Sequence, residues 1–368
     1  MGEEAVEPEE PVSPEEAVLR RIEDFRRRRP RLRDDFINSA HGAGGKASAA
    51  LIDAVFLQAF ANDALAPLTD GAVLTLPSGE RVAFSTDSSV VNPLRFPGGS
   101  IGHLAIHGTV NDVAMMGAVP AWVSAAFVLE DGFPVAELRA IVADMAEAAA
   151  AAGVKVVTGD TKVVSKGAAD GVYISTAGFG VISPEVQLDA RSVRPGDRVL
   201  VSGTIGDHGV AVMLARGELG IEADVVSDTA PLGGLVQALL AAAPATRWLR
   251  DPTRGGVATV CNELARDAEV AVILNEADLP VLPSVNGACE ILGIDPLYVA
   301  NEGKLLAVVP PEQTDAALAA LRAHPLGTNA ALIGEIRDDP PGMVVINTGF
   351  GGNRIVDMLA GDPLPRIC

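Results

Sequence analysis

Aromatic residues are scarce, only 4% of 368, so any core of the size this length permits must rest on Ala, Val, Leu and Ile. Cysteine is nearly absent: Cys261, Cys289 and Cys368 are the three. An odd number at wide spacing is no disulfide framework, and the lack of a CxxC pair excludes the commonest zinc sites. Free thiols fit a reducing cytoplasm. Positive charge is short as well, with 28 Lys and Arg against 48 Asp and Glu, a formal net charge of −20. That balance excludes a broad nucleic-acid footprint. It leaves room for a nucleotide whose phosphates a metal ion neutralises locally. No basic secretory leader is visible and no apolar run is long enough for a membrane span. The apolar stretch 141–157 is broken by Asp144, Glu147 and Lys155 and reads as a helix leading into a strand.

What is plentiful is glycine, 38 copies, many in short clusters that mark turns or close backbone approach to a ligand. Residues 1–35 read as a disordered extension, Glu- and Pro-rich and then Arg-dense from Arg20 to Arg33. Periodicity predicts a helix over 46–60 with Leu51, Val55 and Phe56 on one face, a strand over 82–86 ending at Asp87, and a helix over 101–116. A strand over 123–129, an Ala-rich helix over 134–152, a buried strand over 154–158 ending at Gly159-Asp160, and a strand over 172–181 follow. A boundary is expected between Ser183-Pro184 and Pro195-Gly196, giving domains at 36–185 and 186–347. The second has strands expected at 198–202, 270–274, 304–309, 329–336 and 343–347, and helices at 207–216, 231–242, 254–268 and 311–323. Mixed elements in both halves imply an α+β protein of two domains. Residues 348–368 read as a tail, kept extended at its end by Pro363 and Pro365.

Three carboxylates lie at expected element ends beside small residues: Asp87, Asp112 and Asp160. Such groups suit a hard cation like Mg²⁺, and Lys162 could add a point charge to the same phosphates. Any one Asp could instead cap a turn. His41-Gly42-Ala43-Gly44-Gly45-Lys46 precedes a helix and would leave backbone N–H groups open to an anion, although Ala40 and Ala47 rule out a Walker A loop. Gly206-Asp207-His208-Gly209 and Asp251-Pro252-Thr253-Arg254-Gly255-Gly256 open further helices, either as ligand loops or as ordinary caps. Glu302, in Asn301-Glu302-Gly303-Lys304, is a candidate general base or metal ligand. Cys261 and Cys289 read as buried small hydrophobes, whereas Cys368 is the last residue of the arm.

These motifs in this order, with Phe96-Pro97-Gly98-Gly99, Asn111-Asp112-Val113-Ala114-Met115-Met116-Gly117-Ala118, Val157-Thr158-Gly159-Asp160-Thr161-Lys162 and the ending Pro365-Arg366-Ile367-Cys368, resemble the HypE family of nickel–iron hydrogenase maturation proteins, in the PurM-like (aminoimidazole ribonucleotide synthetase-related) superfamily. The resemblance runs from about Ile37 to Cys368. It implies two α+β domains, the first forming a homodimeric β-barrel, with ATP and Mg²⁺ bound between sheet and glycine loop. It implies a carbamoyl group placed on Cys368 by a HypF-like carbamoyltransferase, dehydrated with ATP to a thiocyanate, and passed as cyanide to the iron of a HypC–HypD-like complex. On that reading Cys368, Lys162 and Glu302 are catalytic. His41, Gly42, Gly44, Gly45, Lys46, Asp87, Asn111, Asp112, Gly159, Asp160 and Lys162 bind nucleotide, and Asp87, Asp112 and Asp160 hold the metal. The alternatives are a sibling enzyme, of the selenophosphate synthetase or thiamin-phosphate kinase type, and a non-catalytic nucleotide-binding scaffold. Residues 36–50 contain no Cys of the kind selenophosphate synthetases carry there.

Overall fold

The computed structural model describes residues 31–217, 223–349, 351–361 and 366–368. The expected disorder of residues 1–35 falls almost wholly outside them. The first half is built on a five-stranded sheet, ordered β1 (Ala72–Thr75), β2 (Arg81–Ser89), β7 (Val172–Ile182), β5 (Ala118–Glu130), β6 (Lys155–Val164). A two-stranded ribbon, β3 (Arg95–Phe96) with β4 (Gly99–Ser100), lies beside it. The sequence of β7 alternates strictly: Val172, Ile174, Thr176, Gly178, Gly180 and Ile182 face inward, the residues between them outward. That period-two pattern is what a sheet covered on one face demands.

The covering element is the helix Ile101–Met115, which packs on β2, β5 and β7. It is buried nearly all round, because a second helix, Val135–Ala152, closes its outer side. The two approach so closely that a Cβ at Gly102 would stand 2.4 Å from the Ile141 carbonyl oxygen. Ile101, Leu104 and Ile106 are fully buried there, each worth roughly 1.5–3 kcal/mol of burial. Ser100 caps the helix through its hydroxyl, which accepts from the Gly102 N–H at 3.2 Å.

The second half carries a seven-stranded sheet, ordered β14 (Asn353–Val356), β13 (Met343–Asn347), β10 (Ala271–Asn275), β12 (Ala331–Arg337), β8 (Arg198–Val201), β11 (Leu306–Val309), β9 (Trp248–Arg250). The helices Asp207–Ala215, Gly233–Ala242, Gly256–Ala268, Pro283–Leu292 and Thr314–Ala323 accompany it. The halves share their cores. Met115, Met116 and Ile182 cluster with Leu200, Leu232 and Leu235; Ile101 and Leu104 cluster with Val210, Met213 and Ile367.

Four expectations change. The 46–60 helix forms, but as Lys46–Leu51, a π-helical segment Ile52–Leu57 and Gln58–Phe60, with Val55 and Phe56 of its expected apolar face exposed. Asp87 lies inside β2, not at its mouth. The strand expected at 154–158 forms from Lys155, runs on through Asp160 to Val164 and is exposed along nearly its whole length, because it is an edge strand of the sheet among the described residues. Residues 353–356 are no tail: they pair with β13.

Candidate functional site

The halves meet where β2 and the helix Ile101–Met115 face the loops at 227–230, 250–254 and 300–304. There Asp70, Asp112 and Asp251 converge, each offering a carboxylate oxygen within 4.8 Å of the others. Asp112 sits one residue beyond Asn111 on the helix. Its Oδ2 accepts from the Ser85 hydroxyl at 2.6 Å, and that Ser stands on the inward face of β2. Asp70 is paired with Arg250 at 2.6 Å, and Arg250 reaches Glu263 at 3.0 Å. The other oxygen of Asp70, Oδ2, is buried without a hydrogen-bond partner.

Burial pushes all three carboxyls up, against the pull of Arg250 on Asp70 and Asp251; Asp251 repels both Asp70 and Asp112, so that these two stand well above the ordinary range, and Asp87 adds to Asp251, which is pushed up to about 6. Burial also opposes the Arg250 charge, but Asp70 and Glu263 outweigh it and hold the guanidinium protonated. Three hard oxygen donors, one of them orphaned, fit a divalent cation of the Mg²⁺ class.

Asp87 projects from the same face of β2 over the helix: a Cβ on Gly108 would come within 2.6 Å of its Oδ2. Its charge is felt at Asp112, Asp251 and Glu302. Glu302 is buried, with Oε1 unpartnered, and its backbone N–H donates to Asp228 Oδ1 at 3.0 Å. Burial holds this carboxyl well above the ordinary value, with Asp87, Asp251 and Asp228 adding to the effect and Arg254 opposing it. Lys304 pairs with Asp228 at 3.1 Å. Arg254 lies on the same side; the negative charge at Cys368 raises its pKa most, and burial works against that. Cys368 is half-buried, and its backbone oxygen accepts from the Val90 N–H at 3.0 Å, just past the end of β2. By contrast, burial pushes the Cys261 thiol up to about 12 and that of Cys289 up to about 11, leaving both inert.

The glycine loop borders this region but is packed against protein. Gly44 adopts φ +75, where a Cβ would also meet the Arg254 carbonyl oxygen at 2.8 Å. A Cβ on Gly45 would stand 2.3 Å from the Leu359 carbonyl oxygen. Gly42 accepts from Arg254 at 3.3 Å, and Lys46 pairs with Asp357 at 2.6 Å. His41 is buried, its Nδ1 accepting from the Asn38 N–H at 3.1 Å.

Two groups of expected site residues lie apart from the cluster or are otherwise engaged in the single chain. Asn111 was expected to contact phosphate; its side-chain amide donates to the carbonyls of Ala230 at 3.0 Å and Glu302 at 3.2 Å, and its Oδ1 accepts from the Leu232 N–H at 2.8 Å. It is a tether between the halves. Asp160 was expected beside Asp87 and Asp112. It pairs with Ala126, in a cross-sheet row that continues through Ser175 to Ser88, on the face opposite Asp87. Its carboxylate holds Lys162 at 2.8 Å on exposed β6, with Gly159 beside it. Within one chain neither Asp160 nor Lys162 joins the buried cluster.

Asp70, Arg250 and Glu263 carried no readable motif. Asp251 and Arg254 lay in a Gly-rich segment that read as a ligand loop or an ordinary cap, Lys304 lay in the 301–304 segment beside Glu302, and Asp228 carried no motif.

The N-terminal domain model of AIR synthase related proteins matches residues 68–182, and their C-terminal domain model matches 194–347. The carbamoyl dehydratase HypE of Cupriavidus necator is 52% identical over 332 residues, 90% of this chain and 95% of that one. The chain belongs to the HypE family. The HypE of Escherichia coli is 48% identical over 336 residues, covering 90% of this chain and 99% of its own. Among solved structures, a HypE–HypF complex superposes with a TM-score of 0.80 at 48% identity, covering 84% of this chain and 100% of that chain. A HypE in complex with ATP gives 0.76 at 46% identity, covering 89% and 98%. The two-domain PurM-like fold expected for HypE proteins is thus the one observed. A thiamine monophosphate kinase from Aquifex aeolicus, at 19% identity and a TM-score of 0.60, shares that fold alone, covering 84% of this chain and 97% of its own.

Proposed function

We propose that this chain is an ATP-dependent carbamoyl dehydratase of hydrogenase maturation, which turns a thiocarbamate on Cys368 into a thiocyanate. The observation that carries the reading is the docking of the terminal cysteine beside the end of β2, the strand that bears Asp87, at the junction where the carboxylates and Glu302 converge. A thiocarbamate, S–C(=O)–NH₂, dehydrates poorly because oxide is a very bad leaving group. Attack of its carbonyl oxygen on the γ-phosphorus of ATP releases ADP and makes that oxygen part of a phosphate ester. One N–H proton is lost, then the C–O bond breaks, phosphate leaves with the oxygen, and loss of the second N–H proton completes S–C≡N. The balance is thiocarbamate and ATP in; thiocyanate, ADP, phosphate and a proton out.

Glu302 is our acid–base residue: its raised pKa makes the ionised form a stronger base, next to the charge of Arg254. Asp70, Asp112 and Asp251 would hold Mg²⁺, with Asp87 flanking them, and the ion would neutralise phosphate charge. His41, Gly42, Gly44, Gly45 and Lys46, against the Arg254 turn, are the nucleotide-side candidates.

The chain works as a homodimer on this reading. The outer face of the five-stranded sheet exposes Phe84, Trp122 and Val181, with Phe179 stacked on Trp122 at 5.5 Å, and β6 leaves its edge unpaired among the described residues. An apolar face and open edge of this kind call for a partner. Asp160, Lys162 and Gly159 lie on that edge strand and so act at the subunit boundary. The supplier is a HypF-like carbamoyltransferase and the acceptor an iron-carrying complex of the HypC–HypD type, both in the cytoplasm. Among the described residues no helix is long and apolar enough to cross a membrane.

The test is mass analysis of the C-terminal peptide after incubation with the carbamoylating partner, carbamoyl phosphate and ATP. The peptide should gain a carbamoyl group and then lose one water, with labelled carbonyl oxygen recovered in phosphate. Modification of another residue, or label released only to water, would refute the mechanism.

A further inference from the structure

The Gly206-Asp207-His208-Gly209 segment belongs to neither the carboxylate cluster nor the glycine loop, yet its histidine touches the end of the chain. His208 is fully buried in the first turn of the helix Asp207–Ala215. Its Nε2 lies 2.8 Å from the Ile367 carbonyl oxygen and its Nδ1 2.8 Å from the Ser227 hydroxyl. A peptide carbonyl can only accept, so Nε2 carries the proton, and the bare Nδ1 accepts from Ser227. The edge of the Phe96 ring packs on the imidazole at 5.5 Å. Ser227 is fixed in turn: its backbone N–H donates to the Pro97 carbonyl at 2.8 Å, and its hydroxyl oxygen accepts from the Thr229 N–H at 3.2 Å. The ring can therefore neither flip nor change tautomer without breaking a buried bond.

The neighbouring peptides are held as well. The Arg366 carbonyl accepts from the Asn92 N–H at 3.2 Å and from Arg216 at 2.9 Å, and Arg216 also donates to the Asn92 carbonyl at 2.9 Å. With the Val90 bond to Cys368, a backbone oxygen of each of the last three residues is engaged by the body of the protein. The Ile367 side chain is buried in the core with Phe96, Val210 and Ile101. All these hydrogen bonds address the backbone, so they are indifferent to whether the cysteine sulfur carries hydrogen, carbamoyl or cyano.

We propose that His208, locked as the Nε2–H tautomer by Ser227 and assisted by Arg216, is a positioning residue that clamps the carrier tail with Cys368 beside the end of the Asp87 strand during dehydration. The inference rests on the carrier role proposed for Cys368. A clamp of a few hydrogen bonds orients the tail for reaction and still releases it to a partner.

The experiment is alkylation of the nucleotide-free full chain with iodoacetamide, followed by mass analysis of the C-terminal peptide. Cys261 and Cys289 are buried and stay silent. His208→Leu keeps bulk and removes the donor, and Cys368 should label roughly five-fold faster, the effect of losing one hydrogen bond of ordinary strength. His208→Gln, which carries an N–H at the corresponding reach, should return the rate to within about two-fold of wild type. Wild-type labelling of His208→Leu, or a Gln variant no better than Leu, overturns the clamp. If the Leu variant fails to fold, Ser227→Ala takes its place: faster labelling supports the clamp and unchanged labelling overturns it. His208→Leu should slow single-turnover dehydration of chain carbamoylated by its partner without slowing the carbamoylation itself. Absence of carbamoylation at Cys368 would count against the carrier reading alone, since the alkylation result does not depend on it.

Discussion

Replacing Asn111 separates two roles that its sequence context cannot distinguish. Asn111→Ala removes three hydrogen bonds at a buried site: two to the carbonyls of Ala230 and Glu302, one from the Leu232 N–H. Each is worth about 1 kcal/mol net, and leaving the buried carbonyls and N–H without partners adds a further penalty, so the loss should be about 3–5 kcal/mol. At roughly 2–4 °C per kcal/mol, the melting temperature should fall by about 6–20 °C. The Leu232 N–H lies at the start of the helix Gly233–Ala242, whose packing against the helix Ile101–Met115 joins the halves. Loosening should therefore show first in amide exchange of that helix. The assay pairs thermal melting with ATP titration well below the melting point. A variant that melts within about 1 °C of wild type but loses ATP affinity would refute the tether and restore Asn111 as a phosphate ligand.

Asp251→Asn should move the Mg²⁺ dependence of nucleotide binding to about tenfold higher metal concentration or beyond, measured by calorimetric titration; an unchanged dependence would remove Asp251 from the metal set. Glu302→Gln tests the buried carboxyl by its pH signature. A raised folded pKa means its contribution is complete below the ordinary 4.5 and is lost as pH rises through the folded value, so wild type should lose stability relative to the Gln variant by about 1.4 kcal/mol per pH unit over that window. Parallel melting curves against pH would show that Glu302 titrates normally. Trp122→Glu, on the outer sheet face, should convert a dimer to monomer in sedimentation, and an unaltered dimer would place the interface elsewhere. Cys261→Ala should cost about 1 kcal/mol of stability with chemistry retained, whereas Cys368→Ala should abolish the cyano product with the fold intact; the two are read by melting and peptide mass.

Much of the architecture was legible in the chain itself. The alternation of 172–182, the apolar run of 101–115 and the glycine-punctuated motifs specify elements locally, since a residue's periodicity is written beside it in sequence. The HypE family was readable from motif order, and the terminal thiol from its position. Burial of a strand is not local. Residues 155–164 carry the Val-rich composition of a central strand, and only the sheet order makes them an edge, exposing Asp160 and Lys162. The site was hidden for the same reason. Asp70, Asp112 and Asp251 come from a loop, a helix and a strand end far apart in sequence, and each alone reads as a turn or cap. Asn111, beside Asp112 on one helix, turns out to bind carbonyls of the other half. Side-chain type is inherited from sequence, but which charges share a low-dielectric space, and which polar atoms are already spent, depends on contacts the chain makes only once both halves are packed together.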